Sequence, residues 1–330
     1  MADIDIRLLT ENDVEGALAL SASCGWNQRA AEWHMMLQIA PSGTFTAATP
    51  EGIVGTAIRI DYGSFGWIAM MLVSPAYRSR GLGARLLEAA MGALPRDLAI
   101  RLDATPLGRP LYERYGFVLE SSLTRHVRPA GESQHPVRSG TVRPLVESDL
   151  PAIMQTDERV SGAHRHSALR WAFGDAARYA WIGTSASGSL PLQGGSHTNP
   201  GGVASGPSTG SGPARAQSRA GSSRKDVADA ETPGYCLGRG GRLFDHIGPI
   251  VADTPETAST LAAAAIGESR ECSLAIDAHD THGEFVTWLR NERFEPQRPL
   301  YRMCRSGGRR APTGQSGPLT EFAIMGPEFS

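Results

Sequence analysis

The chain repeats itself, and no other feature of the sequence constrains its fold as much. Arg7-Leu8-Leu9-Thr10-Glu11-Asn12-Asp13 returns as Arg143-Pro144-Leu145-Val146-Glu147-Ser148-Asp149, an offset of 136 residues. Further on, Pro75 pairs with Pro249 and Asp103 with Asp277 at an offset of 174, and Gly116-Phe117 answers to Arg293-Phe294. One structural plan is therefore expected twice in series. The offset grows by 174 − 136 = 38, which predicts an insertion of about that size between Asp149 and Pro249. Ser, Gly and Pro dominate residues 185–225, where Leu190, Leu192 and Val203 are the aliphatic side chains larger than alanine. Such a stretch buries too little apolar surface to offset its ordering entropy. The insertion is therefore expected at about 185–233, as a disordered loop between strands at Tyr179–Gly183 and Gly234–Arg239.

The chemistry concentrates in the first copy. Trp67–Val73 is an apolar run that reads as a buried strand, broken by Pro75, which cannot donate to a sheet ladder. Arg78-Ser79-Arg80-Gly81-Leu82-Gly83 follows, and then apolar residues at helical spacing: Leu82, Leu86, Ala90 and Leu87, Met91, Leu94. A strand, a basic glycine loop and a helix make an anion site, because the first amides of a helix lack internal partners and its dipole is positive there. Gly81 and Gly83 let a ligand approach the backbone closely. No Gly-Lys-Ser/Thr sequence closes the loop, as a nucleotide triphosphate site requires, and no acid-completed dinucleotide fingerprint is present.

Around this stretch the pattern reads β-α-α-β-β-β-α-β-α-β-β. It comprises a strand at Ile4–Leu8, helices from near Glu11 and at Ala30–Ile39, and strands at Thr44–Ala48 and Ile53–Ile60. After the loop come a strand at Leu98–Leu102, a helix at Gly108–Tyr115 and strands at Gly116–Glu120 and Leu123–Arg128. With Val73, Pro75, Arg78, Gly81 and Gly83 all in register, this first half resembles the GNAT N-acetyltransferase superfamily. The second half resembles a degenerate acetyltransferase-like domain, so the whole resembles a tandem GNAT protein. The resemblance implies an α+β fold with the character of an α/β sandwich: two tandem GNAT folds, each a mixed, mostly antiparallel sheet flanked by helices. The expected organisation is a catalytic domain at 1–130, a linker at 131–140, the degenerate domain at 141–306 with its insertion, and a tail at 307–330.

The resemblance further implies acetyl-CoA as co-substrate, attacked directly by a primary amine. Backbone and side chains of Leu72, Val73, Arg78, Ser79, Arg80, Gly81, Leu82, Gly83, Ala84 and Thr105 are expected to bind it. Thr105 stands where many relatives carry an asparagine. Within Leu111-Tyr112-Glu113-Arg114-Tyr115-Gly116-Phe117, Tyr112 is the expected general acid for the leaving thiolate, since a phenol is protonated at neutral pH. Tyr115 is the fallback. Trp26, Asn27 and Gln28 lie between the first two helices, where the resemblance places the acceptor pocket. No general base is legible: Asp61, Glu32 and Asp103 qualify only by charge and rough position, and the persistence of Asp277 suggests a capping role for Asp103.

In the second half, Ile250-Val251-Ala252-Asp253-Thr254-Pro255-Glu256-Thr257 replaces the basic glycine loop, and Thr287-Trp288 stands near the tyrosine's place. That half reads as catalytically dead, with closure of the acceptor pocket, mimicry of a dimer partner or binding of a regulator as its possible uses. A net charge of −2 over 330 residues gives no reason to expect nucleic acid as a partner. The acidic start and the lack of a long apolar run predict neither signal peptide nor membrane span. Four cysteines without paired spacing predict reduced thiols in a cytoplasmic protein. No metal is expected: His164 and His166, two apart, should diverge on a helix. The acceptor is expected to be a small-molecule or peptide amine and the protein a monomer or homodimer. The alternatives are transfer of another acyl group and a non-catalytic acyl-CoA-binding scaffold.

Overall fold

The computed structural model describes residues 4–131, 141–184, 234–269, 272–308 and 317–330. The insertion expected at about 185–233 lies outside the described residues, as does the linker except for Gly131. The first half runs β1 (Asp5–Leu8), α1 (Val14–Ser23), α2 (Ala30–Ile39), β2 (Thr44–Thr49), β3 (Gly52–Asp61), β4 (Gly66–Val73), α3 (Leu82–Gly92), β5 (Ile100–Ala104), α4 (Arg109–Arg114) and β6 (Val118–Arg128). The second repeats that order with β7 (Val142–Pro144), α5 (Leu150–Ser161), α6 (His166–Asp175), β8 (Trp181–Gly183), β9 (Tyr235–Arg239), β10 (Asp245–Ala252), α7 (Pro255–Gly267), β11 (Leu274–His279), α8 (Gly283–Asn291) and β12 (Glu295–Arg305). A last strand, β13 (Thr320–Ala323), has no counterpart in the first half.

The repeat extends to side chains. Arg7 grips Asp13 through two bonds of 2.7 and 2.8 Å, and Arg143 grips Asp149 through two of 2.7 and 2.8 Å. Each aspartate also accepts a backbone N–H at the start of its helical segment, from Thr10 at 2.8 Å or Val146 at 2.9 Å. The α3 residues that carry helical spacing, Leu82, Leu86, Leu87 and Ala90, are buried against the sheet as expected.

All strands form one sheet in the order β1-β2-β3-β4-β5-β12-β6-β11-β13-β10-β9-β8-β7. The two copies therefore share a sheet, and each inserts its long strand into the other. β12 lies between β5 and β6, and β6 lies between β12 and β11. This explains why the two strands expected at Gly116–Glu120 and Leu123–Arg128 are one continuous β6: β12 pairs along most of its length and β11 along its second part. The expected Leu98–Leu102 strand is shifted to Ile100–Ala104, where β12 gives it a partner.

Two buried ion pairs fasten the exchange. Asp103 of β5 sits directly opposite Arg302 of β12, and Asp277 of β11 directly opposite Arg125 of β6. Arg302 reaches Asp103 with two bonds of 3.0 Å; Arg125 reaches Asp277 at 2.7 and 2.6 Å. Neither α4 nor α8 has a side-chain cap, so these aspartates cap no helix; they neutralise an arginine delivered by the other half. Their equal places in the repeat reflect that reciprocal cross-link.

Candidate functional site

β4 and β5 run parallel but pair only at Gly66–Ile100 and Trp67–Arg101, after which they diverge. On its other side β4 carries a register shift against β3, Met70 adopts a positive φ of 49°, and the Thr56 hydroxyl holds the Met70 carbonyl at 2.8 Å. The bulge turns the end of β4 away from its neighbour and leaves its edge toward β5 unpaired beyond Trp67. The divergence from β5 therefore begins upstream of Leu72 and Val73.

Residues 74–81 then carry the chain to α3. Gly81 is the residue before the helix, with φ 76°, and no side chain caps the first turn. Ser79 is also left-handed, with φ 60°. Left-handed residues on either side of Arg80 give this loop the alternating φ pattern from which anion nests are built. The two glycines differ in cause. Gly81 is demanded by its φ, whereas a Cβ on Gly83 would meet only Leu111 at 3.5 Å and Val73 at 3.8 Å, ordinary contacts. The fold itself tolerates a side chain at position 83.

The splay, the nest and α4 enclose a cavity of about 610 Å³. Trp26, Asn27, Gln28, Leu72, Val73, Arg78, Ser79, Gly81, Leu82, Gly83, Ala84, Thr105 and Tyr112 all line it. Among the predicted residues Arg80 does not; its guanidinium lies over the Tyr77 ring, 5.5 Å from the centroid. Arg78 donates to the Val73 carbonyl at 3.0 Å and approaches Cys24 Sγ at 3.8 Å, tying the loop to β4 and to the end of α1. Thr105 faces the cavity, but its hydroxyl accepts the Gly108 N–H at 3.2 Å.

Tyr112 is 7 % exposed and packs edge-on against Phe117. Burial holds its phenol well above the ordinary tyrosine range, so it stays protonated. Tyr115, the fallback, points to the surface and donates to Glu88 at 2.5 Å. Of the carboxylates weighed as a base, Asp61 accepts the Gly63 N–H, Glu32 is buried with Arg239 and Arg29, and Asp103 reaches the cavity wall while bound to Arg302. Burial raises the Asp103 pKa against the opposing pull of Arg302.

Part of the wall comes from farther along the chain, through Arg125, Arg298, Leu300, Pro327 and Glu328. Asn27 is committed to this junction: its Oδ1 accepts the N–H groups of Leu243 and Phe244, and its Nδ2 donates to the Phe244 carbonyl. Gln28 Nε2 donates to Glu328, which also takes two bonds from Arg239. Arg239 and Arg125 hold Glu328 below the usual carboxylate range despite its burial. Sequence spacing carries no signal for these partners, because they meet only through the shared sheet.

The second half has closed its equivalent site in three ways. β10 also pairs with β11 only at its start and is bulged at Gly248-Pro249, but β13 fills the opening, pairing with β10 through Ile250–Ala252 and with β11 at Ala278. Pro249 is thus the counterpart of the Met70 bulge, not of Pro75. Only Asp253 and Thr254 separate β10 from α7, so the anion loop is missing altogether, and Thr254 caps the helix by accepting the Thr257 N–H at 3.1 Å. Third, Phe294 donates its N–H to Leu289 as Phe117 does to Tyr112. Leu289, fully buried, therefore takes the tyrosine's place, the position that pairing Leu111-Tyr112 with Trp288-Leu289 in the repeat gives it, and one residue beyond Thr287-Trp288. Residues 317–330, expected as part of a tail, are structural in this arrangement.

His164 and His166 do not diverge. α6 begins at His166, so His164 is still in the preceding turn and the two rings lie 4.0 Å apart. With Glu158 they bring three ligand atoms within 4.8 Å of one another, and none of the three lines the first-half cavity. No helix among the described residues is long and apolar enough to cross a membrane.

An α+β fold with a splayed parallel strand pair and a basic, uncapped helix N-terminus defines the class. Residues 40–119 match the family described as acetyltransferase (GNAT) domain, and residues 216–316 match a second family of the same description. The chain belongs to the GNAT acetyltransferases, as a tandem of two such domains. An uncharacterized N-acetyltransferase of Bacillus subtilis, YitH, is 30 % identical over 119 residues, which is 36 % of this chain and 42 % of that protein. A Pyrococcus horikoshii protein assigned as an acetyltransferase shares the fold over 99 % of this chain and 96 % of its own, with a TM-score of 0.69 and 18 % identity. A GCN5-related N-acetyltransferase from Sphaerobacter thermophilus does so over 94 % and 97 %, with a TM-score of 0.58 and 14 % identity.

Proposed function

We propose that the first half transfers the acetyl group of acetyl-CoA to a primary amine by direct attack, with Tyr112 as the general acid. The carrying observation is that the uncapped start of α3, the free edge of β4 and Tyr112 all line one cavity. In this reading the amides of Ser79–Ala84 and Arg78 hold the pyrophosphate, and the β4 edge at Leu72–Val73 holds the pantetheine arm and polarises the thioester carbonyl. The amine nitrogen attacks that carbonyl, the C–S bond breaks, and the departing thiolate takes the proton of the Tyr112 hydroxyl. The proton lost by the attacking nitrogen passes to solvent, and the Tyr112 phenolate takes a proton back from solvent, which restores the acid. Trp26 and Gln28 border the acceptor; Asn27, its side chain committed to residues 243–244, acts by holding that wall in place.

Tyr112→Phe tests the reading cleanly. The hydroxyl has no hydrogen bond to any described residue, so its loss should change stability by less than about 0.5 kcal/mol. Turnover, followed as free thiol released from acetyl-CoA, should fall by roughly 10²–10⁴-fold with acetyl-CoA affinity unchanged. Equal turnover would remove Tyr112 from the mechanism. A chain that binds acetyl-CoA and turns over no amine would be a scaffold.

A further inference from the structure

Four buried arginines at the junction of the halves are each paired with a carboxylate. Arg125 is paired with Asp277, Arg302 with Asp103, Arg165 with Asp157 and Glu321, and Arg239 with Glu32 and Glu328. Arg298 of β12 departs from this pattern. It is half-buried in the cavity wall, its side chain makes no hydrogen bond or ion pair with any described residue, and its Nε is shut off from solvent. Burial, and Arg125 close by, pull its pKa down to about 10, which still leaves it a cation at neutral pH. A desolvated guanidinium without a counter-charge is costly unless something else supplies the anion.

Arg298 lines the same cavity as Trp26, Asn27 and Gln28. Its charged neighbours are Arg125, Asp277 and Glu328. Glu328 binds Gln28, and Arg125 lies over the Phe244 ring, which Asn27 holds. The Gln28 amide is held by Glu328, with Oε1 buried and without a partner among the described residues. One wall of the cavity therefore offers a cation with no direct ion pair among the described residues.

We propose that the acceptor is an amine that also carries a carboxylate, an amino acid in class, and that Arg298 clamps that carboxylate. The proposal rests on the amine-transfer reading above. A planar guanidinium fork matches a carboxylate through two parallel bonds. The second half then supplies the specificity group of a site whose chemistry belongs to the first.

The test uses the full chain, with Arg298→Met and Arg298→Lys. The common L-amino acids are each assayed against the decarboxylated amine and the aminophosphonate of the same side chain. Wild type should prefer the amino acid over its decarboxylated amine. In Arg298→Met that preference should collapse by about 10- to 100-fold in the ratio of kcat/KM values, mainly through KM. Arg298→Lys should restore part of it, and acetyl-CoA affinity measured by calorimetry should hold in both. Because Arg298 has no partner to strand, Arg298→Met should fold with an unchanged or raised Tm. Equal kcat/KM for amino acid and amine in wild type would overturn the proposal, as would weakened acetyl-CoA binding in Arg298→Met, which would assign the guanidinium to a CoA phosphate. Preference for the phosphonate would overturn the carboxylate assignment. If acetyl-CoA binds but no amine turns over, the transfer reading fails by itself. Calorimetric titration of the N-acetyl amino acids then decides the subsite: tighter binding to wild type than to Arg298→Met supports it, and equal binding overturns it.

Discussion

Asp277→Ala should be among the most destabilising single changes in the chain, and its magnitude follows from the geometry. The carboxylate is fully buried, takes two bonds from Arg125 at 2.7 and 2.6 Å, and lies 3.2 Å from His246 Nε2. Its removal strands Arg125, 5 % exposed, on the strand that one half lends to the other. Removing one partner of a buried pair costs about 3–5 kcal/mol, because an uncompensated charge stays behind. At about 2.1 cal/mol/K of unfolding entropy per residue, that lowers Tm by roughly 4–7 °C in a chain of this length. Asp13→Ala is the control: its bonds to Arg7, at 2.7 and 2.8 Å, match in length, but Arg7 is 40 % exposed, and exposed pairs contribute about 0–1 kcal/mol. Asp277→Ala with Arg125→Met should recover most of the loss, since apolar replacement of both members is close to neutral. Asp277 is also held well below the ordinary aspartate pKa; although burial is the largest influence and opposes this, Arg125 and His246 together outweigh it. A folded pKa below the unfolded one contributes stability above about pH 4, which is lost as pH falls toward the folded value. Thermal and urea unfolding across pH 2–7 would check both points. A cost below about 1 kcal/mol, equal to that of Asp13→Ala, would refute the view that burial makes this pair the fastening of the exchange.

Other expectations follow from the same geometry. Gly83→Glu should keep the fold, since a Cβ there meets only ordinary contacts, yet abolish acetyl-CoA binding in a calorimetric titration by setting a carboxylate on the helix N-terminus. Gly81→Ala should instead cost about 1–2 kcal/mol of stability, read by urea unfolding, because φ is 76° there. Residues 1–131 alone should show no cooperative monomeric unfolding: they lack β12, whose Met303 and Leu300 are at most 1 % exposed, and leave both β5 and β6 short of a neighbour. A monomeric fragment with a sharp thermal transition and intact acetyl-CoA affinity would show that the exchange is dispensable.

The sequence by itself determined whatever is local. Periodicity found α3 and its buried face, proline and glycine chemistry found the turn into it, and the repeated Arg–Asp spacing found both copies, because helix capping and anion binding are decided within a few residues. The expected cofactor residues apart from Arg80, the tyrosine and the acceptor trio accordingly meet in one cavity. Tertiary structure alone decided what depends on partners distant in the chain. A strand's own residues fix which face is apolar but not which strand lies beside it, so the exchange of β6 and β12, and with it the true roles of Asp103 and Asp277, could not be read from spacing. The loss of the second anion loop was visible as sequence divergence, but the filling of the second strand opening by β13 depends on two open sheet edges finding a third strand. Arg298 shows the same limit: it is one arginine among many in the sequence, and only the folded neighbourhood, in which Arg125, Arg165, Arg239 and Arg302 each meet a carboxylate, sets it apart.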